Sequence, residues 1–237
     1  LEKLAQGELA QQPEFVAQVH RLREQLDYDG QFAQALRHYP VVLGYYFTSD
    51  RQGEKNGQLP APVLRRQDMQ GHNIRISSWN GYGANLPLFA QAASSAGFFN
   101  ALNSDDGVVR TMPLLAQYAD QYYQSLPLAM LRLASGQPQV QAVFPPERFV
   151  GRNYQHLSQV QLRYANGRNA TIPVDDQVAT SIPFRGLGGP NGGSFAYFSA
   201  SDILQGRTPA GSLKNKLVLL GTTAPGLLDL RTTPVGD

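Results

Sequence analysis

The apolar residues of this 237-residue chain occur in short runs that alternate between two periodicities. The longest run, Val41 to Phe47, is far shorter than the roughly 20 apolar residues that span a bilayer. Between Pro13 and Leu26, apolar residues recur at three- and four-residue steps, which is typical of an amphipathic helix. Short helices and strands mixed along one chain predict an α/β, or mixed α+β, fold with a central mixed sheet, flanking helices and β-hairpins.

Capping and helix-breaking residues predict where further helices begin and end. Asp29 is the predicted N-cap of a second helix, which Pro40 ends. A third helix is predicted over 125–136, because it has proline in its first turn and glycine after its last. A short fourth helix is predicted over 200–205.

Turn residues and alternating apolar residues predict the strands. The Asp106-Gly107 and Asn166-Gly167 pairs supply the positive φ angles that tight hairpin turns need. The last strand, over 216–221, is expected to be buried because it is almost entirely apolar. The predicted strand segments are 41–47, 97–102, 108–118, 160–164, 170–174, 179–184 and 216–221.

One long segment, residues 49–73, is rich in glycine, proline, glutamine and charge. This composition predicts a surface excursion from the fold. Excursions of this length within a compact domain are either functional or partly disordered.

Composition restricts the class of protein. Apolar residues make up 42% of the chain and charged residues 16%, which predicts a globular protein with enough apolar sequence for one domain over residues 1–237. The formal charge is +2, and the basic residues are scattered without a recognisable nucleic-acid motif. Nucleic acid is therefore not an expected partner.

Several chemistries are excluded or lack their motif. The chain has no cysteine, which excludes disulfides, thiolate metal sites and cysteine nucleophiles. The glycine-rich segment 186–193 lacks the lysine of a phosphate-binding loop and is predicted to be a surface turn. The four histidines are isolated, the 103–107 turn does not fit a calcium loop, and no nucleophile elbow occurs. We therefore predict no catalytic residue, no metal site and no cofactor.

The candidate ligand-binding residues are those charged and hydroxyl side chains that adjoin predicted core strands. An ionised group in such a position needs a partner, so an internal Asp–Arg pair is a slightly better explanation than a ligand clamp. The threonines can bind a ligand at the end of a strand, or they can bond to the backbone of their own turn, which is favoured. The candidates are Arg110, Arg185, Thr222, Thr223, Asp229 and Arg231.

Four phrases of the sequence together resemble the type-two CHASE domain, a sensory extracellular domain associated with cyclases and histidine kinases. They occur in the order expected for that family. The phrases are 96–114 (AGFFN, then DDGVVRTMPL), 182–186 (IPFRG), 196–204 (AYFSASDIL) and 218–235 (VLLGTTA, then LLDLRTTPV).

The resemblance implies an extracytoplasmic sensor on the periplasmic or extracellular face of the bacterial inner membrane. It implies anchoring by transmembrane helices outside this chain and a cytoplasmic output domain, most simply an adenylate or guanylate cyclase. A histidine kinase or a diguanylate cyclase as output is the alternative, as is a dimerisation or partner-docking module without a ligand. The expected partners are a small molecule or envelope signal of unknown identity and a second copy of the chain. The family's usual first strand–helix unit and last segment are missing, so a fragment is expected.

Overall fold

The computed structural model describes residues 13–145, 156–189, 193–222 and 232–236. The helices of these residues are α1 (Pro13–Leu26), α2 (Tyr28–His38), α3 (Pro87–Ala92), α4 (Leu126–Ala134) and α5 (Ala200–Leu204). The strands are β1 (Val42–Thr48), β2 (Lys55–Asn56), β3 (Leu64–Arg65), β4 (Gly81–Gly83), β5 (Ser95–Phe98), β6 (Leu102–Asn103), β7 (Val109–Pro113), β8 (Leu115–Tyr118), β9 (Gln121–Gln124), β10 (Gln139–Val143), β11 (Gln159–Arg163), β12 (Asn169–Pro173) and β13 (Ala179–Ser181).

The strands of the described residues form four small sheets. One is mixed and has the order β2-β4-β1-β5, in which β1 runs parallel to β5 and antiparallel to β4. The other three are antiparallel, with the orders β10-β11-β12, β13-β7-β6 and β3-β9-β8. The predicted mixed α/β class is thus confirmed.

The chain divides into two compact units. The first unit comprises residues 1–100 and 114–178, and the second comprises residues 101–113 and 179–237. The sequence predicted one domain over residues 1–237. Division into two compact units does not decide whether they fold together as one domain, so this stays a prediction.

The first unit has a well-buried apolar core. In β11, Val160 and Leu162 are buried and alternate with more exposed residues, which confirms the predicted half-exposed hairpin. Gly167 makes the turn of that hairpin with a φ of +80°. The buried members of the core are Leu64, Met69, Leu114, Leu115, Tyr122, Leu128, Val140, Ala142, Leu157, Val160, Leu162 and Val178.

The start of α2 differs from the prediction. Asp27, rather than Asp29, caps the helix, and its Oδ1 atom accepts a hydrogen bond of 3.0 Å from the Gly30 amide. A Cβ atom at Gly30 would lie 2.2 Å from the Asp27 carboxylate, so glycine leaves the room that this cap needs. Asp29 lies in the first turn, where a carboxylate still interacts favourably with the helix dipole.

The predicted strand over 108–118 is divided at Leu114 into β7 and β8, which belong to different sheets. The predicted hairpin turn is present between β6 and β7, and Gly107 has a φ of +79°. A pattern of apolar residues gives no sign of this division, because both halves have strand periodicity.

The prediction of a buried strand over 216–221 is wrong. Residues 216–221 form neither helix nor strand, and Leu219 and Leu220 are 75% and 89% exposed. An apolar run becomes a buried strand only where a neighbouring strand accepts its backbone hydrogen bonds, and none of the described strands pairs with this run. Strand β13 is also shorter than predicted, because it ends at Ser181 rather than at Phe184.

Candidate functional site

A cavity of about 910 Å³ lies within the first unit. This volume is in the range of small-molecule sites. Three parts of the chain line it: the 58–70 segment, the 85–96 segment, and residues of β9, α4 and β10. The lining residues are therefore far apart in sequence and are brought together only by the fold.

The 58–70 segment belongs to the predicted surface excursion, and the structure makes it one wall of the cavity. Leu64 and Met69 anchor it in the core, where they are 5% and 1% exposed. The Gln58 amide donates to the Asn85 carbonyl, and the Val63 amide donates to the Tyr122 carbonyl, each at 2.9 Å. Backbone bonds and buried side chains therefore fix this wall at both ends.

Arg132, in the last turn of α4, brings a positive charge to the cavity. Its Nε atom donates to the Pro138 carbonyl at 2.8 Å, and its Nη1 atom donates to Oε1 of Gln124. Both acceptors are neutral, and no carboxylate of the described residues forms an ion pair with Arg132. Burial lowers the pKa of Arg132, but an arginine side chain stays protonated in proteins. The cavity thus holds a half-buried cation that has no counter-ion among the described residues.

Gln124, the last residue of β9, fixes the position of this guanidinium. Its side chain is 6% exposed, and its Nε2 atom donates to Ser95 Oγ and to the Ala96 carbonyl, both at 3.2 Å. With both amide donors occupied, the Oε1 atom faces the arginine as an acceptor. The orientation of Arg132 is therefore set by a hydrogen-bonded amide and a backbone carbonyl.

The remaining polar lining is almost entirely neutral. Asp68 is the other charged lining residue, and its Oδ2 atom accepts a hydrogen bond of 2.6 Å from the Arg65 amide. Primary amides dominate elsewhere and can donate and accept hydrogen bonds. The amide side chains are those of Gln58, Gln67, Gln70, Asn85, Gln124, Gln139 and Gln141.

Arg110, predicted from the sequence, lies in the second unit and is paired with Asp106. The two side chains are joined by a two-point contact, Nη1 to Oδ1 at 2.8 Å and Nη2 to Oδ2 at 2.7 Å. Hydrogen bonding from Arg110 lowers the pKa of Asp106 to about 2, and the same contact raises the pKa of Arg110. Arg110 is thus paired with a carboxylate, but the pair is exposed rather than internal, with side chains 46% and 54% exposed, and a ligand-binding role for Arg110 stays a prediction.

The other predicted site residues have different positions. Arg185 is exposed, and its carbonyl accepts a hydrogen bond of 3.3 Å from Ser194 Oγ. Thr222 directly follows the exposed apolar run. Thr223, Asp229 and Arg231 lie outside the described residues. A ligand-binding role for these residues stays a prediction.

The backbone around Arg110 brings two of the predicted segments together. The Arg110 carbonyl accepts from the Ile182 amide at 3.0 Å, and the Val109 amide donates to the Thr232 carbonyl at 2.9 Å. Strand β7, which lies between β13 and β6 in its sheet, therefore also has one backbone hydrogen bond to Thr232. Three of the four sequence phrases that resemble a sensory domain, 96–114, 182–186 and 218–235, meet here through backbone hydrogen bonds.

The model of a known domain family matches nearly the whole chain. The model of the CHASE2 domain matches residues 6–237. The chain belongs to the CHASE2 domain family. CHASE2 domains are extracytoplasmic sensor modules of membrane receptors, and they are sensory rather than catalytic, which supports a sensory input role. No curated protein and no solved structure gives a significant match.

Neither a metal-binding cluster nor a membrane-spanning helix is found in the described part of the CHASE2 chain. It contains no group of three or more histidine, aspartate or glutamate residues placed to hold a metal ion. Within the same residues, no helix combines the length and the apolar character that crossing a bilayer requires.

A cluster of aromatic side chains in this CHASE2 chain belongs to the core. The aromatic rings of Tyr45, Trp79 and Tyr123 surround Phe47, with ring centroids 5.5 to 6.4 Å from it. Burial, and to a lesser extent Tyr123, raise the pKa of Tyr45, so its hydroxyl stays neutral. None of these rings lines the cavity, and we interpret the cluster as the support of the mixed sheet.

Reasoning from sequence missed Arg132, Gln124 and the cavity of this CHASE2 domain. One signal was available, because Arg132 is the only charged residue in the otherwise apolar helix LPLAMLRLA. A charge within an apolar helix must be neutralised, hydrogen-bonded or directed to a polar space. No sequence motif indicates the remaining lining residues.

Proposed function

We propose that this CHASE2 chain is the extracytoplasmic signal-input domain of a bacterial transmembrane receptor. In this proposal, transmembrane helices outside the chain anchor it to the inner membrane, and it regulates a cytoplasmic output domain. An adenylate or guanylate cyclase is the proposed output. The family match over residues 6–237 carries the proposal.

The cavity supports small-molecule sensing as the input. A ligand regulates a receptor when it binds one arrangement of the protein more tightly than another, and the difference in affinity shifts the equilibrium between them. A cavity of 910 Å³ with a fixed cation and several amides offers enough polar contacts for such discrimination. The proposed input is thus a small polar molecule outside the cytoplasm.

The location is tested by single-cysteine labelling, since the chain has no cysteine of its own. Arg168→Cys and Lys214→Cys place a thiol at exposed positions in the first and second unit. Intact cells that express the complete receptor are treated with a membrane-impermeant maleimide. Labelling before lysis is expected at both positions. Labelling only after lysis would place the chain in the cytoplasm and contradict the proposal.

The output is tested on the complete receptor in cells. Cyclic AMP and cyclic GMP are measured with and without the receptor, beside cyclic di-GMP and phosphoryl transfer to a response regulator. A receptor-dependent rise in a cyclic mononucleotide is the expected result. A rise in cyclic di-GMP or a phosphoryl transfer would instead identify a diguanylate cyclase or a histidine kinase.

A second candidate function is that of a dimerisation module without a small-molecule ligand. The exposed apolar run Leu217, Val218, Leu219 and Leu220 favours it, because exposed apolar patches often mark interfaces. Analytical ultracentrifugation of the chain and of its Leu220→Lys variant tests this candidate. A dimer that Leu220→Lys dissociates would support it, and a monomer at all concentrations would contradict it.

A further inference from the structure

We infer that Arg132 binds the carboxylate group of a small polar ligand in the cavity of the first unit. The inference deepens the proposed sensory function and rests on it for its biological meaning. It names the chemical class of the signal and the residue that recognises it.

The positive charge of Arg132 is not neutralised by the described side chains around it. Its recorded partners are a backbone carbonyl and a glutamine amide, which neutralise no charge. A half-buried cation is more stable with an anion beside it, because the surrounding protein screens its charge less than water does. Among the described residues no side chain fills that role for Arg132.

The geometry of Arg132 leaves N–H groups available to a ligand. Of the five N–H groups of a guanidinium, the Nε group and one Nη1 group are bonded to the protein. One N–H group of Nη1 and both groups of Nη2 have no partner among the described residues. Adjacent Nη donors match the spacing of the two oxygen atoms of a carboxylate. Because Gln124 and Pro138 already hold the side chain, binding costs little side-chain entropy.

The charge balance of the cavity favours a carboxylate over a phosphate. The lining has one cation, Arg132, and its other charged residue, Asp68, is an anion whose carboxylate accepts from the Arg65 amide. A single cation can neutralise a carboxylate, whereas a phosphate dianion would bring a second charge that the lining does not balance. The amide side chains then suit a ligand whose remaining atoms are hydroxyl, amide or ammonium groups rather than hydrocarbon.

The ligand class is tested by thermal unfolding of the purified 237-residue chain in a matched panel of compounds. The panel contains lactate, succinate, glycine, alanine and glutamine at millimolar concentration, their primary amides and inorganic phosphate. At least one carboxylate is expected to raise the midpoint of unfolding, and its amide is expected not to. No stabilising carboxylate, equal stabilisation by the amide, or stabilisation by phosphate alone would each overturn the inference.

The residue is tested by calorimetric titration of variants with the stabilising carboxylate. Arg132→Gln is expected to weaken binding about tenfold to a hundredfold, since it removes charge-assisted hydrogen bonds. Gln139→Glu, at an exposed lining position, places a carboxylate in the cavity and is expected to weaken binding by a similar factor. The second variant removes neither Arg132 nor its partners Gln124 and Pro138, so it remains informative if Arg132→Gln fails to fold.

Arg163→Gln is the matched control, because Arg163 is an exposed arginine of the first unit that does not line the cavity. Its affinity for the carboxylate is expected to equal that of the unmodified chain. An equal loss in Arg163→Gln, or no loss in Arg132→Gln and Gln139→Glu, would overturn the assignment to Arg132.

Failure of this inference is distinguishable from failure of the proposed function. Carboxylate binding that depends on Arg132 but leaves every output of the complete receptor unchanged would retain the site and remove the sensory role. An output that responds to a signal equally in the unmodified receptor and in Arg132→Gln would retain the sensory role and overturn the carboxylate site.

Discussion

Helix α4 and the run 217–220 are both rich in apolar residues, but α4 contributes to the core and the run is exposed. Leu128 of α4 is 1% exposed and belongs to the core of the first unit, whereas Leu220 is 89% exposed in the second unit. Helix α4 packs against β5 and β1, while the run pairs with none of the described strands. Burial is therefore decided by the surface available to an apolar segment and not by its composition alone.

The strongest test of this comparison is truncation of one leucine from each region. Leu128→Ala is expected to lower the free energy of unfolding by about 2–5 kcal/mol, because it leaves a cavity beneath α4. Leu220→Ala is expected to change it by less than about 0.5 kcal/mol, since an exposed side chain loses little contact. Denaturant unfolding followed by circular dichroism measures both. Similar losses for the two variants would show that the run is buried in solution.

Two glycines offer a second test, with a smaller expected effect. A Cβ atom at Gly97 in β5 would lie 2.5 Å from the Cα and N atoms of Leu126, so Gly97→Ala must move the strand away from α4. We expect it to cost about 1–3 kcal/mol. Gly107 has open space around it and a φ of +79°, so Gly107→Ala should cost about 1 kcal/mol through backbone strain alone.

Urea unfolding of both glycine variants gives the ranking. A larger cost at Gly107 than at Gly97 would contradict the close approach of β5 and α4. Since Leu126, which the new Cβ atom would press against, is two residues from Gln124, Gly97→Ala should also weaken carboxylate binding, whereas Gly107→Ala should leave it unchanged.

The smallest expected effect is the pH dependence of the Asp106–Arg110 pair. Pairing lowers the pKa of Asp106 from 3.8 to about 2, so the stabilisation is fully present above 3.8 and is lost as the pH falls through 2. Asp106→Asn should flatten this acid dependence of the unfolding midpoint at low salt. The effect will be modest, because the side chains of Arg110 and Asp106 are 46% and 54% exposed.

Arg132→Gln provides the contrast for this test, because Arg132 has no carboxylate partner among the described residues. Without its carboxylate ligand, this variant should retain the acid dependence of the unmodified chain. A flattened profile in Arg132→Gln would reveal a carboxylate partner of Arg132 and remove the distinction between the two arginines.

Local sequence signals predicted much of the secondary structure. The bounds of α1 agree with its apolar periodicity, and the β11–β12 hairpin agrees with alternation around Asn166 and Gly167. The cap of α2 was misplaced by two residues, because either Asp27 or Asp29 can cap a helix. Such signals depend on neighbours in sequence, which is why they succeed for single elements.

Long-range pairing was beyond those signals. Nothing in the apolar pattern distinguishes β7 from β8, or reveals that the 216–221 run lacks a strand partner. The cavity was missed for the same reason, because Gln58, Ser95 and Arg132 are far apart in sequence and only the fold brings them to one cavity. The resemblance to CHASE2 domains rested on motif order instead, and it predicted the family correctly.

The hydrogen bonds of Arg132 to Pro138 and Gln124 connect residues that are close in sequence, and this affects the order in which the site forms. The two bonds join residues separated by six and eight positions, whereas the 58–70 wall depends on the pairing of β3 with β9, in which Leu64 is opposite Tyr122. Local contacts close quickly during folding, while distant pairings wait for the closure of a long loop. We therefore expect the guanidinium to be held in place before the cavity around it exists, so that the domain folds around a charge whose position is already fixed.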